Sequence, residues 1–185
     1  MAIQSSEGLL SPFLCHKRLA AAKPYLKGRG LDFGCGSGRL AEFVPPELYL
    51  GVDISPESLV QAHDSYPNYQ FVQELPDGSE KFDTIVALAV IEHVPAPLGL
   101  LRTFTSYLSD RPYACIVLTT PHPSMDWVHA TGAALGLFSR HANEEHEELL
   151  GLGDLKHLGE ELGLDIRVYR RFLLGANQLV VYSNK

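Results

Sequence analysis

The ten residues LDFGCGSGRL, positions 31–40, constrain this chain more than any other stretch, because Gly34, Gly36 and Gly38 alternate directly behind a short apolar run carrying Asp32. A Cβ blocks positive φ and holds the backbone away from whatever approaches it. A turn this bare therefore serves tight curvature or a ligand that touches main chain. Placed between a buried strand and the start of a helix, it belongs to an open α/β sheet, whose ligands bind at the carboxyl ends of the strands where chain order reverses. The three glycines are candidate binding residues on that ground.

The rest of the chain keeps the same rhythm. Apolar runs alternate with helix-like segments, the pattern of parallel strands under crossover helices. The spacing predicts a first helix over 12–26, strands near 30–33, 49–53, 69–73, 82–88 and 114–119, and helices near 38–43, 55–63, 97–108 and 154–162. Ser55-Pro56-Glu57 is a helix start with a cap, a proline where no N–H is needed, and a carboxylate at the positive end of the dipole. IRVYRRF and NQLVVYS, joined tightly around Gly175-Ala176, read as an antiparallel hairpin. At 185 residues and 45% hydrophobic, the chain fits one domain spanning 1–185.

Two ligands suit the glycine turn: a nucleotide pyrophosphate, or the amino-acid end of a different nucleoside cofactor. The dinucleotide pattern Gly-x-Gly-x-x-Gly or Ala needs a small residue at position 39, where this chain has Arg39. Asp53 closes the second strand, where a carboxylate accepts hydrogen bonds from ribose hydroxyls in either class of cofactor. Asp32 discriminates, because an anion just before the turn suits the ammonium and sulfonium of S-adenosylmethionine better than a pyrophosphate.

The runs LDFGCGSGRL, GVDIS and FDTIVALAVIEHV, in that order over about residues 28–120, resemble the class I S-adenosylmethionine-dependent methyltransferases. The likeness is strongest to the small-molecule type related to ubiquinone-biosynthesis enzymes. It implies a Rossmann-like, doubly wound α/β sheet of seven strands with the last antiparallel, in agreement with the hairpin read above. It also implies that Asp32, Gly34 and Gly36 line the methionine end, that Asp53 meets the ribose, and that Ile54 faces the adenine. The backbone of Ala87, Leu88 and Ala89 would lie beside the methionine. Where the family carries an aspartate for the adenine amino group, this chain reads FVQELPDGSEKFD, leaving Gln73 or Glu74 to substitute. The implied reaction consumes S-adenosylmethionine and leaves S-adenosylhomocysteine. A binding protein without turnover and a nicotinamide oxidoreductase are the rival readings.

Methyl transfer to a hydroxyl needs alignment and a base. His93 in IEHV and His122 in TTPHP each follow a strand near the expected site, and imidazole titrates near neutral pH. Residues 121–151 are too long for a simple connection and hold four of the eight histidines. Within them, 125–138 has a helical apolar stripe of Trp127, Val128, Leu135 and Phe138, interrupted by Gly132 and Gly136. That stripe suits a lid over the acceptor, ordinary core, or a homodimer contact. His129, His141 and His146 lack the i, i+4 spacing that places two imidazoles on one helix face, so no metal is expected.

A formal charge of −7 with scattered basic residues argues against nucleic acid as a partner. No basic leader precedes the apolar residues of MAIQSSEGLLSPFL, and no apolar run approaches bilayer length, so the expectation is a cytoplasmic protein without integral membrane contact. Cys15, Cys35 and Cys115 form no Cys-x-x-Cys pair and read as reduced thiols.

Overall fold

The computed structural model describes residues 11–125 and 149–185. The predicted lid segment 125–138 thus lies almost wholly outside the described residues, as do His129, His141 and His146. The elements are α1 (Ser11–Ala22), β1 (Gly30–Phe33), β2 (Tyr49–Val52), α2 (Pro56–Ser65), β3 (Gln70–Val72), β4 (Thr84–Leu88), α3 (Pro97–Tyr107), β5 (Cys115–Pro121), α4 (Leu152–Glu161), β6 (Leu164–Phe172) and β7 (Asn177–Asn184). The seven strands form one sheet in the order β3-β2-β1-β4-β5-β7-β6. β7 runs antiparallel to both β5 and β6, while β1 to β5 pair in parallel. This is the predicted doubly wound sheet. Its order reverses at β1/β4, so the loops after β1 and β4 face one crevice.

Each central strand is apolar on both faces because helices cover both. Leu31, Ile85, Ile116, Leu118 and Val180 pack with Leu101, Phe104 and Leu155 of α3 and α4. Their sequence neighbours Val86, Val117, Leu179 and Val181 turn the other way, into a second core with Leu19 and Ala22 of α1 and Ala62 of α2. The period-two switch between cores is the strand geometry itself. At the amino edge the buried Asp83 carboxylate accepts from Arg29 N–H at 3.0 Å and from Ser109 Oγ at 2.7 Å, tying three connections together.

Ser55 caps α2 as expected, accepting from Ser58 N–H at 3.2 Å with Pro56 in the first turn. The segment after the glycine turn differs from expectation. Residues Arg39–Phe43 form a 3₁₀ helix instead of an α-helix. Gly38 at its start is left-handed, with φ 77°, and Pro45-Pro46 follows closely, so no room remains for a second α-turn. The helix predicted over 12–26 likewise ends earlier, at Ala22, and passes into a 3₁₀ turn at Lys23–Tyr25.

Candidate functional site

The glycine turn crosses the top of the sheet between β1 and β2. Gly34 and Cys35 both donate their N–H groups to the Val52 carbonyl, at 2.8 and 3.0 Å, which folds the chain sharply back over β2. Gly34 has φ 73°, and a Cβ there would stand 2.5 Å from Val90 Cγ2. Gly36, at φ 53°, is different: a Cβ would meet nothing within 4 Å, so its main chain faces open space. The two glycines answer two demands, close packing against the β4 loop and a bare backbone for a ligand. Gly38 is needed for a third reason, since Phe71 Cζ would lie 2.6 Å from its Cβ.

Asp53 holds this turn in place. Its Oδ2 accepts from Gly36 N–H at 2.7 Å and its Oδ1 from Ser55 N–H at 2.9 Å. A carboxylate has about four lone-pair positions, so two remain for a ribose. Ile54, next in sequence, is 84% exposed, an apolar side chain with an uncovered face. Gln73 Nε2 donates to the Ile54 carbonyl at 3.2 Å, which places it at the same rim, and Glu74 beside it is exposed.

Asp32 lies deeper. It is 4% exposed and accepts from the Tyr49 hydroxyl at 2.8 Å. Burial pushes its carboxyl up to about 7, with the Tyr49 hydrogen bond opposing and the Asp53 charge adding. Tyr49 is itself fixed edge-on against Tyr69 and Phe71, so the donor cannot swing away. Burial also pushes the Cys35 and Tyr49 groups up, leaving both protonated near neutrality.

Asp32 and the glycine turn border a cavity of about 340 Å³, whose lining does not include Asp53, Ile54, Gln73 or Glu74. Asp32, Gly34, Gly36 and Leu88 line it, joined by Arg39 and by Pro12, Cys15 and Leu19 of α1. The dinucleotide pattern's third small residue is thus replaced by a long cation at the cavity wall. Ala87 is fully buried, so only its backbone can serve the site. Ala89 adopts φ 58°, and its N–H donates to the Thr119 carbonyl at 2.8 Å, locking the β4 loop to β5. A buried carboxylate near its neutral form, a bare turn and a fixed acidic residue at the next strand end fit a ligand carrying an ammonium, a ribose and little negative charge.

Neither histidine lines that cavity. His93 is exposed. His122 Nδ1 accepts from Ser124 N–H at 3.0 Å and lies 2.8 Å from Ser124 Oγ, so the neutral ring carries its proton on Nε2. Burial and the nearby Arg171 hold its pKa below the usual imidazole value.

A buried polar group at the β4 and β5 ends escaped sequence reading. Glu92 is 6% exposed, and Glu92 Oε2, Thr119 Oγ1 and Thr120 Oγ1 have no hydrogen-bond partner among the described residues. Arg18 of α1 favours the ionised form of Glu92 and donates from Nε to Asn177 Oδ1 at 3.1 Å. Burial holds the Glu92 carboxyl above the usual range, with a backbone hydrogen bond, His93, Arg18 and the Thr120 hydroxyl opposing. The wall contributed by α1, and the Tyr49 donor, also went unread. A carboxylate predicted in mid-strand needs a donor, and that requirement alone points to a neighbouring hydroxyl.

Residues 9–168 match a methyltransferase-domain family. A ubiquinone biosynthesis O-methyltransferase of Azorhizobium caulinodans is 40% identical over 86 residues, covering 40% of this chain and 34% of that protein. The chain therefore spans about a third of that relative's length. In fold it is similar to an S-adenosylmethionine-dependent methyltransferase of Thermotoga maritima, with TM-score 0.71, 18% identity, and 96% and 92% of the two chains covered. It is also similar to magnesium protoporphyrin IX methyltransferase of Synechocystis, a structure with bound S-adenosylhomocysteine. There the TM-score is 0.64, identity 18%, and coverage 94% and 83%.

Proposed function

The chain belongs, by family and by fold, to the class I S-adenosylmethionine-dependent methyltransferases, and on that premise we propose that it methylates a small-molecule acceptor at oxygen. The observation that carries the reading is the buried Asp32 carboxylate behind a glycine turn whose backbone is latched to Asp53. When bound, S-adenosylmethionine supplies a methyl carbon made electrophilic by a sulfonium.

Everything else falls to the protein. Asp32 receives the ammonium, and an ionised carboxylate in that dry setting is stabilised by the cation it meets. Gly36 offers open main chain to the amino-acid end, and Asp53 offers its remaining lone pairs to the ribose. Ile54 provides an apolar face for the adenine, with Gln73 at the rim. Leu88, and the backbone from Ala87 to Ala89, would border the methionine end of the bound cofactor. Alignment of the acceptor there supplies much of the catalysis, because in-line attack gains most from removing translational freedom. The Azorhizobium relative's name supports oxygen as the atom attacked.

Calorimetry with S-adenosylmethionine, S-adenosylhomocysteine and NAD tests the reading. The two adenosyl compounds are expected to bind, and tighter binding of NAD would sink it. Binding of both adenosyl compounds without product formation on any acceptor would point to a binding protein.

A further inference from the structure

A second cavity, of about 150 Å³, opens at the amino edge of the sheet, the end away from the glycine turn. Its floor is Cys115 of β5, Val181 of β7 and Val168 of β6, on three neighbouring strands. All three belong to the core face that α1 covers. α1 stops at Ala22, and Pro24 cannot continue it, so Pro24 and Tyr25 of the following 3₁₀ turn form the wall where another helical turn would have filled the space.

Two cations, Lys27 and Arg167, line this cavity. Arg167 is the extra residue where the β6–β7 register shifts between Ile166 and Val168, and such a bulge re-aims a side chain. Its Nη2 donates to the Pro112 carbonyl at 2.8 Å, which fixes the guanidinium. Lys27 is held through its main chain: its N–H donates to Thr84 Oγ1 at 3.0 Å, and its carbonyl accepts from the same hydroxyl at 2.8 Å. Burial pushes the Cys115 thiol up, while the Thr84 hydroxyl, Arg167 and Lys27 oppose, so both positive charges act on the cavity floor. No carboxylate lines the cavity, and neither cation forms an ion pair among the described residues. In a chain of net charge −7, two cations gathered over an apolar floor without a counter-charge favour an anion.

We propose that this cavity binds a small aromatic carboxylate, with its ring on the Cys115, Val168 and Val181 floor and its carboxylate on Lys27 and Arg167. An apolar cavity of about 150 Å³ holds one benzene ring, so the space suits a single ring and excludes a nucleoside. Tyr25 and Tyr113 supply aromatic walls to either side of it. The site lies at the opposite edge from the methyl-donor cavity, and the inference stands whether or not the chain transfers methyl groups.

Ring and charge are each needed. An inorganic anion would meet the cations and leave the valines and the thiol bare, while a neutral arene would cover the floor and leave the cations to water. The planar guanidinium fork of Arg167 matches the edge of a carboxylate, and Lys27 adds a point charge beside it.

Titration calorimetry of the full chain with benzoate, benzamide and inorganic phosphate tests the site. Benzoate is expected to bind with a dissociation constant of about 1 mM or tighter, and benzamide and phosphate about 10-fold more weakly or not at all. Both cationic side chains are exposed, so their variants keep the fold. Arg167→Gln should weaken benzoate about 10-fold and Lys27→Gln about 3-fold, the fixed fork counting for more than the flexible ammonium. Cys115→Met, which fills the floor, should abolish binding with the circular dichroism spectrum retained; the cation variants decide the matter even where that variant fails to fold. Saturating S-adenosylhomocysteine should leave benzoate affinity unchanged, and competition between the two would move benzoate to the other cavity and overturn the proposal. Absence of benzoate binding, equal binding of benzamide, or unchanged affinity in both Arg167→Gln and Lys27→Gln likewise overturns it.

Discussion

The two halves of the carboxyl edge are made from different materials. Around β1 and β2, main chain and short side chains lie within the single stretch from Asp32 to Asp53, and both of those carboxylates accept hydrogen bonds. Around β4, β5 and β7, the polar groups are side chains as far apart as Arg18 and Asn177, and Glu92 Oε2, Thr119 Oγ1 and Thr120 Oγ1 have no hydrogen bond among the described residues. A site that must hold one invariable cofactor can be finished in advance.

That contrast breaks most readily at Gly34. A methyl group there meets Val90 Cγ2 at 2.5 Å and forces a left-handed non-glycine. Gly34→Ala should destabilise the fold by roughly 2 to 4 kcal/mol, from backbone strain plus overpacking. Urea denaturation checks it, and a loss below about 0.5 kcal/mol would mean that the turn is not preset. Asp53→Ala comes next, removing acceptors for Gly36 and Ser55 and the ribose contact together. Affinity for S-adenosylhomocysteine should fall by about 1.5 to 3 kcal/mol in calorimetry. An unchanged dissociation constant would refute the ribose assignment.

Asp32 sharpens the comparison through pH. Its carboxyl sits at about 7 in the folded chain against 3.8 ordinarily, so the folded state holds a proton that the unfolded state releases. Its contribution to stability is therefore full below about pH 4 and is lost as pH rises to about 7, on the order of 4 kcal/mol at about 1.36 kcal/mol per unit. Asp32→Asn should flatten that part of the stability profile. Cofactor affinity should run oppositely, rising up to about 10-fold per unit as pH climbs toward 7, because the ammonium needs the ionised form. Equal affinity at pH 6 and pH 8 would remove Asp32 from the ammonium's path.

The smallest effect is expected at the histidines. With His122 Nδ1 engaged by Ser124 and His93 exposed, His122→Ala and His93→Ala should each leave turnover within about 3-fold. A 100-fold loss in either, with cofactor affinity intact, would return the base to that ring.

The same division explains what the sequence reveals. The glycine turn, Asp32 and Asp53 follow one another along a strand, turn and strand, so their spacing alone places them, and the β6–β7 hairpin is legible because its turn and its β-branched runs are local. Arg18 and Asn177 stand 159 positions apart, and no spacing rule joins them. Glu92 is quoted in the IEHV motif, yet its burial depends on how β4 and β5 end beneath α1, which is a tertiary fact. The 3₁₀ segment at Arg39–Phe43 misleads for a subtler reason: a helix-like composition is overruled by a left-handed Gly38 at one end and two prolines at the other.

The antiparallel position of β7 has a bearing on biosynthesis. β6 touches the sheet only through β7, and β5, a seven-residue strand buried along its whole length, has β7 as its outer neighbour. While the ribosome is still delivering residues before Asn177, the nascent chain carries a long apolar edge open to pairing with other polypeptides. Synthesis of β7 closes that edge and, through Asn177, gives Arg18 its partner, so one step both hides the edge and ties α1 to the sheet.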